Sequence, residues 1–190
     1  MIRDKNTMSY EIAINKSWDS LLALNPAKTL SVKFLADEYS VDSQTRRVLS
    51  LSCNVPAKDY TVILLLHYVT QKIKGLPALS GEWMDFKELS GIEGYQAAFR
   101  KRVIERIIKK YGSTPEALYS VLERLPGIKV KEADIGIILD VFPGVPALIE
   151  LWKADAEFGP EANLLFDKSI TGIFCTEDIV VLAESIAGNL

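Results

Sequence analysis

Apolar side chains recur at three- and four-residue spacing in five stretches of the chain, and this periodicity predicts five amphipathic helices. The predicted helices are residues 10–24, 60–74 and 95–111, the segment between Ser113 and Pro126, and a last segment that Thr176 caps. We expect Asp59 to cap the second helix and Gly75 to follow its end. Residues 62–66 of that helix are apolar on every face, which predicts a buried central element, although a buried strand is the competing interpretation of its first half.

Shorter stretches have the apolar-polar alternation and turn residues that are typical of strands. The predicted extended segments are residues 30–51, as a hairpin or short meander, and residues 81–90, 134–142, 147–152 and 163–166. Trp83 and Phe86 are the expected anchors of the second of these segments. Because helices and hairpins are segregated along the chain, we predict an α+β fold with helices packed on antiparallel hairpins or a sheet. The length of 190 residues predicts a single domain over residues 1–190, with an N-terminal helix in 1–28 and the α+β body in 30–190.

Charge and composition narrow the classes of partner and the compartment. The formal net charge of −3 gives no general attraction to nucleic acid or to an anionic membrane, so we predict neither partner. Residues Met1 to Asn6 are polar and charged, unlike a signal peptide, and the longest apolar run, 62–66, is too short to span a bilayer. Two distant cysteines do not make a disulfide framework, and these features together predict a cytoplasmic protein.

The chain carries no recognisable catalytic, metal or cofactor signature. His67 is its only histidine, which excludes sites that need two, and we interpret it as a core residue held by a hydrogen bond. The glycine-rich patterns of dinucleotide, P-loop and α/β-hydrolase sites do not occur. Cys53 and Cys175 are weak candidates for a nucleophile, although a helix N-terminus after Cys175 would favour its thiolate. We therefore assign no catalytic residue and no metal ligand, and the cofactor stays unknown.

Two sets of charged residues allow sharper interpretations. Asp155 and Glu157 would face the same side of an extended segment and could share a divalent cation, but solvated turn carboxylates are the favoured interpretation. Arg100 falls on the apolar face of the third helix at 100° per residue, which predicts a buried guanidinium paired with Glu82 or Asp167. A fork presented to an anionic ligand is the alternative for Arg100.

Two groups of residues carry a resemblance to a known family. The first group is Gly81-Glu82-Trp83, Phe86, Glu88-Leu89, Gly94-Tyr95, Phe99 and Arg102. The second is Phe142, Pro146, Trp152, Asp155-Ala156-Glu157-Phe158, Leu165-Phe166-Asp167, Ser169 and Thr176-Glu177-Asp178-Ile179. Together they resemble the domain-of-unknown-function family numbered 3786, from anaerobic bacteria and archaea. The resemblance implies no established activity. Some members carry a cysteine-rich segment suited to an iron–sulfur cluster, which this sequence lacks, and some are associated with corrinoid and one-carbon metabolism.

These observations favour a non-catalytic module that binds a small molecule, cofactor or protein partner in anaerobic metabolism. The alternatives are a structural or protein-interaction domain and, less favoured, a carboxylate-based, metal-assisted enzyme. Both matched segments place aromatic residues beside acids at turns, so we predict that they meet in one groove, with Arg102 as counter-charge to the acids. The candidate ligand-binding residues are Glu82, Trp83, Tyr95, Arg102, Asp155, Glu157, Phe158 and Asp167.

Overall fold

A computed structural model describes residues 5–190, with side chains from Tyr10 onward. Residues 1–4, which belong to the predicted polar start and to the segment 1–28, lie outside the described residues. The described chain forms two compact units, an N-terminal unit that ends at Pro77 and a C-terminal unit, Ala78–Leu190. Each unit combines helices with one antiparallel sheet, which confirms the predicted α+β class. One domain over residues 1–190 stays a prediction.

The N-terminal unit combines two helices with a three-stranded meander. Its elements are α1 (Lys5–Leu22), β1 (Thr29–Phe34), β2 (Asp37–Asp42), β3 (Arg47–Ser50) and α2 (Asp59–Lys74). The strands pair antiparallel in the order β1-β2-β3, which confirms the predicted meander. Asp42 shapes the turn before β3, because its Oδ1 accepts hydrogen bonds from the amides of Gln44 and Thr45 at 2.8 and 3.0 Å.

Helix α2 is the buried element that its apolar centre predicts. Leu64, Leu65 and Leu66 are each at most 1% exposed, and α1 packs against the helix. A helix therefore replaces the competing strand interpretation. The predicted cap is wrong: Lys58 occupies the N-cap position without a side-chain bond, and Asp59 lies in the first turn, where the helix dipole favours it. Gly75 follows the end of the helix as expected, with φ at 102°.

The C-terminal unit contains a five-stranded antiparallel sheet in the order β4-β8-β7-β6-β5. Its strands are β4 (Trp83–Asp85), β5 (Gly127–Val130), β6 (Ile135–Phe142), β7 (Val145–Trp152) and β8 (Glu161–Asp167). Strand β5 was missed from the sequence because it is a short edge strand that is mostly exposed, so it has no buried face to create a period. The order places β8, one of the last strands in the chain, beside β4.

One helical segment of this unit departs from α-helical geometry, and the departure begins at Arg100. Residues 95–111 form α3 (Gln96–Phe99), a π-helical turn (Arg100–Ile104) and α4 (Glu105–Tyr111). A π-turn inserts an extra residue, which rotates everything before it by about 100° relative to an α-helix. Phe99 therefore occupies the buried position, at 7% exposure, and stacks on Phe86 with ring centroids 3.9 Å apart.

The predicted burial of Arg100 is wrong for the same reason. Its side chain is 59% exposed, and its guanidinium lies 3.7 Å from Glu161. Neither predicted partner contacts it: Glu82 pairs with Lys168, and Asp167 binds backbone amides. The periodicity argument assumed 100° per residue along the whole helix, and the π-turn breaks that assumption.

Two further helices complete the unit. Pro115–Glu123 is a 3₁₀ helix, and the side chain of its N-cap residue, Thr114, makes no cap hydrogen bond. Helix α5 (Thr176–Asn189) begins one residue earlier than its predicted cap implies. Cys175 is the N-cap residue, and its amide and thiol donate to Asp178 Oδ2 at 3.3 and 3.2 Å. The Thr176 hydroxyl instead donates to the carbonyl of Ser90 at 2.9 Å.

Candidate functional site

Asp167 is the most highly coordinated of the candidate residues. It is 4% exposed at the end of β8, and its carboxylate accepts hydrogen bonds from the amides of Ser80 (3.0 Å), Gly81 (2.8 Å) and Ser169 (2.9 Å). The Ser80 hydroxyl donates a further bond at 3.0 Å. Burial opposes ionisation of this carboxyl, but the hydrogen bonds outweigh burial and hold its pKa well below the usual range. Asp167 thus joins the segment before β4 to the end of β8.

The neighbours of Asp167 are also engaged within the protein. Trp83 is half-buried and lies directly opposite Asp167 in the β4–β8 register. Glu82 pairs with Lys168 at 2.7 Å, and that hydrogen bond lowers the pKa of the Glu82 carboxyl. The structure therefore brings Glu82, Trp83 and Asp167 together, as a packed corner of the sheet whose polar groups bind one another.

Asp155–Phe158, from the second group of matched residues, forms a tight turn between β7 and β8. The Asp155 carboxylate accepts the amides of Glu157 (2.8 Å) and Phe158 (2.7 Å), and these bonds lower the pKa of Asp155. The Asp155 amide donates back to the Phe158 carbonyl at 2.9 Å. These hydrogen bonds close the turn, and the Phe158 side chain on it is 69% exposed. The acids at this turn are thus explained in part by backbone hydrogen bonding.

The register of the sheet separates the Asp155–Phe158 turn from Trp83 and Asp167. Trp83 pairs with Asp167 at one end of β8, whereas the Asp155–Phe158 turn leads into Glu161 at the other end. Glu161 and Asp167 are the two ends of the seven-residue strand β8, six steps apart, or about 20 Å at 3.4 Å per step. That exceeds the reach of direct side-chain contact, so the predicted meeting is found for Asp167 with Glu82 and Trp83 but is wrong for the Asp155–Phe158 turn.

The remaining two candidates lie on the helical layer. Arg102 donates to Glu184 at 3.0 Å, so its observed counter-charge is on α5 and not in the Asp155–Phe158 turn. Tyr95 is half-buried at the residue before α3. Ligand binding by any of the eight predicted residues, taken one at a time, stays a prediction.

A groove in the N-terminal unit is a different candidate site. It has a volume of about 230 Å³ and is lined by residues of α1, β3 with its preceding turn, and the start of α2. Its apolar surface includes Ile14, Trp18, Val48 and Val62, and its charged residues are Arg46, Arg47 and Asp59. We call this feature the arginine groove.

The backbone brings two adjacent arginines to the arginine groove. In a regular strand, neighbouring side chains point to opposite faces, but Arg46 has a left-handed conformation, with φ at 51°. A non-glycine residue in this region is held at a cost of about 1 kcal/mol, which makes the position a candidate for function. The Arg46 guanidinium pairs with Asp19 of α1 at 2.9 Å and so connects the turn to the helix.

Sequence reasoning missed the arginine groove because its parts are far apart in the chain. The Arg46-Arg47 pair after a turn was the only local signal. Trp18 and Val62 come from helices on either side of the meander in the sequence, and only the packing of α1 against α2 places them beside β3.

His67 and Cys175 both form hydrogen bonds within the protein. The Ser17 hydroxyl donates to the Ala13 carbonyl at 2.8 Å, and its oxygen lies 2.9 Å from His67 Nε2, within hydrogen-bond distance. This arrangement joins α1 to α2, and it supplies the hydrogen bond that we expected for His67, although the residue is half-buried and not in the core. Cys175 is an exposed residue, but partial desolvation of its thiol, together with Asp178, raises the pKa of that thiol to about 11, which argues against the thiolate that a helix N-terminus would favour.

Another convergence of donors ties helices of the C-terminal unit together. Lys110 donates to the main-chain oxygen of Leu190 at 2.5 Å, and Arg124 and Tyr111 donate to the same oxygen. Leu190 itself is 2% exposed. Lys110 and Arg124 therefore both anchor the end of α5.

Within the described residues, no group of three or more His, Cys, Asp or Glu side chains is arranged to hold a metal ion. Across residues 5–190, every helix is too short or too polar to serve as a membrane span.

The chain is thus a two-unit α+β protein, and its N-terminal unit carries a small, partly apolar groove that three charged residues also line. Comparison with known proteins places it in a family: residues 18–189 match the family described as a domain of unknown function, DUF3786. Since the match covers most of the chain, the protein belongs to this family, as its residue motifs predicted. Neither a curated protein nor a solved structure matched the chain.

Proposed function

We propose that this protein is a non-catalytic binding module and that the arginine groove is its ligand site. The observation that carries the proposal is the combination of apolar walls with charged residues in one concave site, which is the usual composition of a small-molecule pocket. Ligand sites for drug-sized molecules occupy about 300–1,000 Å³, so a volume of about 230 Å³ suits a smaller ligand.

The residue types that line the groove also support binding over catalysis. The groove is lined by two arginines and one carboxylate, with no histidine or cysteine among its lining residues. Arginine stays protonated at neutral pH and acts as an electrostatic anchor rather than as a general base. The anaerobic setting that the family resemblance implies stays a prediction.

The test is a ligand screen with a blocked variant. We expect the 190-residue protein to bind at least one molecule from a library of small polar metabolites, detected by backbone amide shifts in NMR spectra. Ala57 lines the arginine groove, and Ala57→Phe fills it. Binding is expected to disappear in Ala57→Phe and to persist in Ala117→Phe, a matched change at an exposed position of the C-terminal unit. A ligand that binds both variants equally would contradict the proposed site.

A protein-interaction function is the second candidate, because Phe158 is 69% exposed on an internally hydrogen-bonded turn. An ordered turn that presents an aromatic ring in solvent provides a preformed anchor for a partner. A photo-crosslinking amino acid at position 158 is expected to capture one reproducible protein in cells of the source organism, and the same label at Ala117 is expected to capture none. Equal capture at both positions would rule this candidate out.

A further inference from the structure

The charges of the arginine groove indicate which kind of ligand it takes, an inference that rests on the proposed function. Two positive residues, Arg46 and Arg47, and one negative residue, Asp59, line the groove. Arg46 already has a counter-ion, since its guanidinium lies 2.9 Å from Asp19. The remaining charges are one guanidinium and one carboxylate.

Arg47 has no such counter-ion among residues 10–190. Asp42 is its cross-strand neighbour in the β2–β3 register, but the Oδ1 of Asp42 accepts the amides of Gln44 and Thr45 in the turn. Those hydrogen bonds lower the pKa of Asp42 and hold its carboxylate in the turn. The guanidinium of Arg47 therefore keeps its five donors for solvent or for a ligand.

Asp59 of α2 supplies the negative charge among the residues that line the groove. It lies in the first turn of α2, and in the described part of the chain no lysine or arginine nitrogen comes within 4 Å of its carboxylate. Arg47 and Asp59 thus line one groove without forming an ion pair with each other. A ligand can pair with both only if it carries both charges.

We propose that the arginine groove binds a small zwitterion with an apolar side chain, that is, a free apolar α-amino acid. Arg47 holds the carboxylate in a bidentate pair, Asp59 accepts from the ammonium group, and the side chain lies on the apolar wall that includes Trp18, Val48 and Val62. With Arg46 neutralised by Asp19, the groove has no net charge, so a zwitterion leaves it balanced whereas a singly charged ligand does not.

Volume sets the size of this ligand. At about 30 Å³ for each water-sized group, a groove of about 230 Å³ holds roughly eight non-hydrogen atoms. Valine has this size, and it has two analogues of similar shape that each lack one charge. Valinamide keeps the ammonium group without the carboxylate, and 3-methylbutanoate keeps the carboxylate without the ammonium group.

The experiment compares these three probes by NMR titration of the full 190-residue protein. A charge-assisted hydrogen bond exceeds a neutral one by about 1 kcal/mol or more, so we expect valine to bind at least about fivefold more tightly than either analogue. Arg47→Gln is expected to abolish the preference for valine over valinamide. Asp59→Asn is expected to abolish the preference for valine over 3-methylbutanoate. Lys33→Gln, an exposed cation on β1 outside the groove lining, serves as the control and is expected to keep both preferences.

The outcomes separate this inference from the proposed function. Equal affinity for the three probes, or preferences that survive both variants, would show that the groove does not read the two charges. If no probe binds but the screen finds another ligand that Ala57→Phe excludes, the zwitterion is wrong and the binding module stands. If the screen and the probes both find nothing, the proposed function fails as well.

Discussion

Asp167 binds both hydrogen-bond donors of Ser80, because the Ser80 amide and hydroxyl each donate to its Oδ1 at 3.0 Å. With the amides of Gly81 and Ser169 on the same carboxylate, one buried side chain satisfies donors from two separate segments of the chain. Gly81 makes this approach with φ at 73°, in the left-handed region that glycine adopts readily. Asp167 is therefore a structural anchor for the start of the C-terminal unit.

The first prediction concerns removal of this anchor. Asp167→Ala removes the acceptor of three backbone amides and one hydroxyl at part-buried positions, and we expect it to lower the free energy of unfolding by about 1–3 kcal/mol. Urea denaturation followed by circular dichroism measures the change. Asp155→Ala is the matched control, since Asp155 also accepts two backbone amides but is exposed, and its midpoint should shift much less. Equal shifts for the two variants would contradict the anchoring role.

The second prediction is a pH dependence with a defined sign. The folded pKa of Asp167 is depressed below the value of about 3.9 in an unfolded chain, so its ionisation stabilises the folded state fully above that value. This contribution is lost as the pH falls through the unfolded pKa towards the folded one. The stability difference between the natural protein and Asp167→Asn should thus be constant above about pH 5 and shrink from pH 5 to pH 2. A difference that does not change over this range would show that the carboxylate charge is not used.

A third prediction tests the π-turn. Phe99 occupies the buried position next to Phe86, so Phe99→Ala is expected to cost about 3–5 kcal/mol of unfolding free energy. Arg100→Met should leave the urea midpoint nearly unchanged, because an exposed ion pair contributes little. An α-helix without the extra residue would reverse the order of the two effects, so the same denaturation series distinguishes the two geometries.

The fourth prediction is a slow reaction at Cys175. The pKa of its thiol is raised from 9.0 to about 11, which lowers the thiolate fraction at pH 8 by about two orders of magnitude. The higher nucleophilicity of the more basic thiolate recovers about one of these orders. In a Cys53→Ser background, we expect an aromatic disulfide reagent to react about tenfold more slowly with the folded protein than with the urea-unfolded chain. A folded rate equal to the unfolded one would show that partial desolvation and Asp178 do not lower the thiolate fraction of Cys175.

Elements with a strong local period could be predicted from the sequence. The helix at residues 60–74 and the strands at 134–142 and 147–152 appear close to their expected positions, because burial of one face or of a whole element imposes its own period on apolar residues. The meander at residues 30–51 followed from alternation and from the turn chemistry of Asp42, which does bind the turn amides. Family membership also followed from residues that are visible in the linear order.

Tertiary packing decided the features that a local pattern does not encode. The π-turn moved Arg100 into solvent, since a single inserted residue changes azimuth without changing composition. The pairing of β4 with β8 placed Asp167 beside Trp83 and the Asp155–Phe158 turn at the far end of the strand, because sheet register depends on partners distant in sequence. The arginine groove likewise exists only where α1, α2 and β3 pack together. Local periodicity is set by which face of an element is buried, whereas a site depends on which elements become neighbours.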